Sequence, residues 1–250
     1  MSSRKMATKT NKSTGHRRQN KQSPETRLSH KLTSILRHGN DNFASRIDDQ
    51  GWLAISDLMR YSNYISKNNE VDFEMIKRVV ENCPKQRFSM ARPGFIKANQ
   101  GHTIFIEDSA LETLSSEKIA ASYPRIVHGT FKKSIHAILN NPIEGPGTAK
   151  GLSRMNRLHV HFSADDQVDG TNVVSGFRQS CDILIYLDIS KICSAIDEGK
   201  LKFLRSENNV ILCGGDEDGI ISKEYFEKIK DRKSGKVYRP DDKYDFGLDF

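Results

Sequence analysis

The 250-residue chain has room for one large domain or two small ones, each able to bury a core. No apolar run approaches the length of a membrane span, and the basic, polar N-terminus lacks the apolar centre of a secretory signal, so an intracellular protein of nucleus or cytoplasm is expected. The formal net charge of +7 is confined to one end: Arg4, Lys5, Lys9, Lys12, Arg17, Arg18 and Lys21 precede the first acidic residue, and beyond them the two signs balance.

Residues 1–24 therefore read as a disordered basic tail, rich in Ser, Thr, Asn and Gln, that either adds nonspecific phosphate affinity or only solubilises. The next segment, "LSHKLTSILRHG", places Leu28, Leu32, Ile35 and Leu36 on one helical face, with Ser29 near the start and Gly39 at the C-cap. Arg37 and His38 then fall in the last turn, where cations meet the negative end of the helix dipole, worth about 0.3–1 kcal/mol. That explanation is sufficient for them locally. "DLMRYSNYI" and "DFEMIKRVVENC" carry the same periodicity, the second with Asp72 as N-cap, and "QRFSM", "GFIKA" and "HTIFI" are short strand patterns separated by turn formers. Residues 25–108 so form a winged-helix unit, and the polar stretch 107–124 is the expected linker.

Beyond it, "RIVHGT", "RLHVHFSA", "CDILIYLDI", "LKFLR" and "NVILCG" read as strands, and "FKKSIHAIL" and "KEYFEKIKD" as helices. The fold class is α+β, with a second lobe over 109–231 and a polar, loosely attached tail over 232–250. The four cysteines (Cys83, Cys181, Cys193, Cys213) lack any CxxC spacing and read as reduced thiols, not as a zinc knuckle or a disulfide framework. "GPGTAKGLS" lacks P-loop spacing, and "DEDG" at 216–219 is a turn without the ligand series of a calcium loop. His159 and His161 share a strand face, but no third metal ligand has matching spacing, so no metal is expected.

"VHGTF" at 127–131 is open to two readings. Thr130 either caps the following helix, or the His-Gly-Thr turn receives a ribose and a flat amide. Nearby turns rich in Arg, His, Ser and Asn ("RLHVHFS", "GFR", "RSENNVIL") favour a pyrophosphate-bearing ligand. The motifs "LSHKLTSILRHG", "GWLAISDLM", "KQRF", "IKANQGHT", "VHGTF", "RLHVHFS", "SGFR", "FLRSENNVIL" and "DGIISKEYF", in that order over residues 27–230, together resemble the RNA 2'-phosphotransferase family.

The resemblance implies an N-terminal winged-helix lobe beside a C-terminal ADP-ribosyltransferase-like lobe. It also implies transfer of the splice-junction 2'-phosphate of a ligated tRNA to NAD, by a monomer with no metal. Arg37, His38, Arg87 and Arg157 take the positions of the family's catalytic tetrad. The NAD pocket carries over to His128, Gly129, Thr130, His161, Ser163, Gly176, Arg178, Arg205, Ser206, Asn208 and Val210. Lys97, Gln100 and His102 match a segment placed near the RNA phosphate. Lys97 stands where many members have arginine, Thr103 where serine is usual and Asn209 where glycine is common; "SENN" should still turn, since Asn tolerates a left-handed backbone. An ADP-ribosyltransferase acting on nucleic-acid terminal phosphates and a noncatalytic RNA-binding protein are the alternatives.

Overall fold

The structure is a computed structural model that describes residues 22–40, 43–60, 71–140, 151–164 and 176–242. Residues 1–21 of the expected basic tail, the second half of "DLMRYSNYI" and the loop 141–150 lie outside the described residues.

Helix α1 (Pro24–His38) begins one turn before Ser29: the Ser23 side chain accepts from the Thr26 amide at 3.1 Å, and proline occupies the first turn, where its missing N–H costs nothing. Gly39 ends it at φ +52°, its N–H donating to the Ile35 carbonyl. Leu28, Leu32, Ile35 and Leu36 are buried, as the periodicity requires, and meet α2 (Ile55–Arg60) and α3 (Phe73–Glu81) in one hydrophobic core. Asp72 caps α3 through the Met75 amide at 2.7 Å. Strands β1 (Leu53–Ala54), β2 (Phe88–Ser89) and β3 (Phe95–Ala98) complete this half as an antiparallel sheet in the order β1-β3-β2. "HTIFI" forms no strand. It crosses irregularly toward the second core, its backbone donating to one half and accepting from the other.

A second core lies over residues 114–229. Strands β4 (Glu112–Leu114), β5 (Val127–Thr130), β6 (Gly151–Ser153), β7 (Val160–Phe162) and β8 (Ile183–Leu187) are joined by β9 (Phe203–Arg205), β10 (Ile211–Cys213), β11 (Ile220–Ser222), β12 (Phe226–Asp231) and β13 (Val237–Tyr238). They make sheets ordered β4-β9-β10-β7, β11-β6 and β13-β12-β8-β5, and a backbone bridge from Val127 to Ser163 joins the last sheet to the strand bearing His161. Helices α4 (Ser116–Ser122), α5 (Lys132–Asn140) and α6 (Ile189–Asp197) pack around these sheets. The result is an α+β protein with six helices among the described residues, none long and apolar enough to cross a membrane.

Further expectations need correction. The stretch 107–124 is not a linker: it holds β4, paired with β9, and α4, capped by Ser115. "KEYFEKIKD" is a 3-10 turn followed by β12, which pairs with β8 across a bulge at Phe226/Lys228. The bulge brings Phe226 and Ile229, three residues apart, onto one buried face and so imitates helical spacing. "RLHVHFSA" is strand only over Val160–Phe162, with Arg157 in the turn before it. The tail beyond 232 is also partly structured, since β13 pairs with β12.

Because Leu36 is fully buried beside Arg37, Leu36→Ala should cost about 2–5 kcal/mol of stability, measured as a lowered urea midpoint. An unchanged midpoint would show that α1 does not depend on this face.

Candidate functional site

A cleft of about 1420 Å³ runs between the two cores and takes its walls from both. On the first side, the last turn of α1 supplies Arg37 and His38, and the turn before β2 supplies Lys85 and Arg87. On the second, it receives Arg157 from the turn between β6 and β7, His161 from β7, His128, Gly129 and Thr130 from β5, and Gly176, Arg178 and Asn208 from connecting turns. All four residues of the expected tetrad are thus in one cavity, 120 positions apart at the extremes of the sequence. Its described lining contains seven arginines and lysines and no aspartate or glutamate.

Backbone pins hold this cluster. The Thr103 amide donates to the Arg37 carbonyl at 2.9 Å, and the next carbonyl back, that of His102, accepts from the Leu158 amide at 3.0 Å. One short segment therefore ties the end of α1 to the turn carrying Arg157. Gly101 (φ +88°) lies flat against the Arg37 guanidinium, where a Cβ would stand 3.1 Å from Cζ. Arg154 donates to the Arg157 carbonyl at 3.0 Å and closes that turn, in which Met155 takes φ +55°. Arg87 is held through its Nη1 and its amide to Cys83 Sγ, both at 3.4 Å.

The electrostatics follow from this crowding. Burial first, then Arg157 and Arg87, push the Arg37 guanidinium down to about 10; it stays charged at neutrality. Burial and the neighbouring Arg178 lower Arg157. Burial, then Arg37 and Arg157, lower His38, whose Nδ1 lies 3.0 Å from Thr103 Oγ1. Among the described residues the buried Arg37 Nε and His161 Nε2 have no hydrogen-bond partner, so a ligand with acceptors and donors of its own would satisfy them. His161 is pushed well below its ordinary value, by burial and then by Arg157, and is neutral. His128 Nδ1 donates to the His161 carbonyl at 3.0 Å, which fixes its tautomer and leaves Nε2 free to accept.

Close packing explains the glycines. A Cβ at Gly129 would lie 2.6 Å from Phe177 Cβ, and one at Gly176 (φ +107°) 2.5 Å from the Phe162 carbonyl oxygen. Both therefore let the 176–178 turn close onto β5 and β7. At the start of α5 the Lys132 amide donates to Asp182 Oδ1 at 2.7 Å.

Other expected residues sit off the lining. Arg205 is paired with Glu112 and reaches the Tyr123 hydroxyl. Ser206 is buried, bonded to Asn208 Oδ1 and the Val210 carbonyl, and with Asn209 at φ +59° it forms the turn expected of "SENN". Val210 is fully buried beside Leu204 and Leu212, and Ser163 is buried in its bridge to Val127. Lys97 lies over the Trp52 ring and pairs with Glu207 at 2.8 Å, and His102 is buried between the cores; of this trio only Gln100 reaches the cleft.

Lys85 is a cleft residue that sequence reasoning passed over, although it opens the "KQRF" motif. Its Nζ donates to the Phe177 carbonyl at 3.3 Å and its carbonyl accepts from Asn208 Nδ2 at 3.0 Å, so it clamps two turns of the second half onto the first. Among the described residues no group of three or more His, Cys, Asp or Glu could hold a metal.

A cleft so lined is an anion site, suited to ligands carrying phosphate. Residues 23–215 match the RNA 2'-phosphotransferase, Tpt1 / KptA family, and the chain belongs to that family. It is 33% identical to the tRNA 2'-phosphotransferase 1 of Danio rerio, over 86% of this chain and 90% of that one. The human protein of the same name is 31% identical, over 84% and 78% respectively. A probable RNA 2'-phosphotransferase of Flavobacterium johnsoniae is 31% identical, over 72% and 86%.

Burial, aided by Arg37, pushes His102 down to about 4, against 6.5 for an exposed histidine. Between those values the unfolded chain binds the extra proton, so stability falls as pH falls; for this group the loss reaches about 3 kcal/mol at pH 4. Urea midpoints should drop from pH 7 to 4.5 and drop less in His102→Gln. Identical pH dependence in the two proteins would show that His102 titrates freely in the fold.

Proposed function

We propose that this protein is an NAD-dependent tRNA 2'-phosphotransferase. Its cleft would lie between a winged-helix lobe over 25–108 and an ADP-ribosyltransferase-like lobe over 109–231. The observation that carries the reading is the wall itself: among the described residues it has seven cationic side chains and no carboxylate, with guanidiniums from both halves facing one cavity. The three helices and three-stranded sheet among the described residues of the first half suit a winged helix. The cavity exceeds the roughly 300–1,000 Å³ of an ordinary small-ligand pocket, as room for a dinucleotide and an RNA phosphate together requires.

NAD would supply an electrophilic anomeric carbon in the first step and a ribose 2''-hydroxyl in the second. The RNA 2'-phosphate is already anionic at neutral pH, so attack with loss of nicotinamide needs no base. A carboxylate beside the nucleophile would repel it, and at the position where related ADP-ribosyltransferases often have glutamate this chain has the buried Val210. His128, Gly129, Thr130, His161, Gly176, Arg178 and Asn208, which line the cleft, would hold NAD, and His161 Nε2 and His128 Nε2 would be the ring nitrogens that meet it. In the second step the 2''-hydroxyl displaces the RNA 2'-oxygen from phosphorus, giving 2'-OH RNA and ADP-ribose 1'',2''-cyclic phosphate. Arg37, Arg87 and Arg157 neutralise the charge that develops on the phosphoryl oxygens, positioned beforehand so that no reorganisation is needed during reaction.

The test is incubation of the protein with NAD and a short RNA bearing one internal 2'-phosphate. Nicotinamide, dephosphorylated RNA and the cyclic phosphate are expected, with a rate insensitive to chelator. ADP-ribosylated RNA as the sole product would favour a terminal-phosphate ADP-ribosyltransferase, and no nicotinamide release would leave an RNA-binding protein. Arg37→Ala or Arg157→Ala should lower product formation by roughly 10²–10³-fold with comparable thermal melts. Undiminished rates would remove these arginines from the reaction.

A further inference from the structure

The Arg37–His38 turn carries one more contact whose chemistry the reaction above leaves unused. Thr103 reaches this turn twice. Its amide donates to the Arg37 carbonyl at 2.9 Å, and its hydroxyl lies 3.0 Å from His38 Nδ1 and 3.4 Å from the same carbonyl. That carbonyl belongs to the last turn of α1, where carbonyls have no helical partner and accept readily. A hydroxyl has one proton and two lone pairs. If its proton goes to the carbonyl, its oxygen accepts from Nδ1–H and both contacts are hydrogen bonds. If its proton goes to Nδ1, the carbonyl contact is lost and a hydroxyl lone pair faces a carbonyl oxygen. The first arrangement makes one bond more.

We infer that Thr103 is a positioning residue: it locks His38 in the Nδ1–H tautomer and so presents an unprotonated Nε2 to the cleft as the general base of the second step. His38 lines the cleft, and its Nε2 has no partner among the described residues. Arg37 on the same helix and Arg157 on the facing turn are the charged groups that bear on it, and both disfavour its protonation, as does burial. A neutral imidazole with a free Nε2 suits proton acceptance better than phosphate binding, which the arginines already provide. In the transfer, the proton of the ribose 2''-hydroxyl passes to Nε2 and the new P–O bond forms as the bond to the RNA 2'-oxygen breaks. The departing oxygen takes a proton from water, and His38 returns its proton to solvent.

This role rests on the phosphotransferase reading, but the tautomer does not, and the experiment separates them. The full chain, labelled with ¹⁵N-histidine, is examined by NMR without ligand at neutral pH, the His38 signals being assigned by their loss in His38→Gln. A protonated Nδ1 and an unprotonated Nε2 are expected in the parent and in Thr103→Ser, and a tautomer mixture in Thr103→Val. Thr103 is exposed, so Thr103→Val keeps the fold and the amide bond to Arg37. A protonated Nε2 in the parent overturns the proposal outright. In single-turnover assays with NAD and 2'-phosphorylated RNA, Thr103→Val should slow resolution of ADP-ribosylated RNA by on the order of tenfold, a fraction of the 10²–10⁴ available to full acid–base catalysis. Nicotinamide release should change little, and Thr103→Ser should restore the rate. Equal slowing of both steps would make Thr103 merely structural and overturn the base assignment. No nicotinamide release by the parent would sink the phosphotransferase reading and the base role with it, and leave the tautomer result standing.

Discussion

Like charges gathered out of water repel, and in this protein that repulsion is the term the rest of the fold must offset. Arg37 sits in a wall shared with Arg87, Arg157 and Arg178, and no carboxylate among the described residues pairs with any of the four. The fall of the Arg37 value from 12.5 to about 10, caused first by burial and then by Arg157 and Arg87, corresponds to roughly 3 kcal/mol against its charged form. Such a cluster survives only on a rigid frame. Two separate cores supply it, one beneath α1 and one beneath the sheets, and the pins at Thr103 and His102 fix their spacing at the cleft. The same cost explains why the site suits an anion: a phosphate that binds between the arginines relieves repulsion as well as forming new bonds, so ligand and fold stabilise each other.

Ion pairs away from the cleft differ in kind, whether they cross between the halves, as Lys97 does, or lie within the second. Lys97 is paired with Glu207 and stacked on Trp52, Arg205 with Glu112, and Lys132 with Asp231. These three cations outside the cleft are matched with acids, while the arginines lining it have no acidic partner among the described residues. Exposed pairs contribute little, so their significance lies in contrast: acids occur throughout the body of the chain, yet none of the described residues lining the cleft is one. An overall charge balance beyond the tail hides this segregation.

What was legible in the sequence is what local chemistry decides. The α1 stripe, the Asp72 cap, the Gly39 stop and the "SENN" turn depend on residues within a few positions, and each is found. The failures are cases where a distant partner decides. Glu112–Leu114 has only Leu114 fully buried and becomes a strand because β9 lies beside it. β12 has its period broken by a bulge that no local pattern reveals. "HTIFI" alternates like a strand yet finds no strand partner, because its backbone bonds go to Arg37 on one side and Leu158 on the other. Of the site, the tetrad was accessible as motifs in order. Lys85 was missed within one of those motifs, because its contribution is made partly through a carbonyl that any residue possesses.

The place of Arg37 and His38 at the C-terminal end of α1 satisfies the helix dipole, and that alone would justify two cations in the final turn. But a dipole effect does not require the Arg37 carbonyl to be taken up by Thr103, the guanidinium to lie against a glycine at φ +88°, where a side chain would be strained, or Arg157 to be tethered to the same segment. Each of those constraints fixes direction, which helix stability does not need and phosphate chemistry does. The helix end provides the electrostatic tolerance for positive charge, and the 99–103 segment converts it into geometry. The site is therefore best regarded as that segment with its two flanking turns, and not as a list of charged side chains.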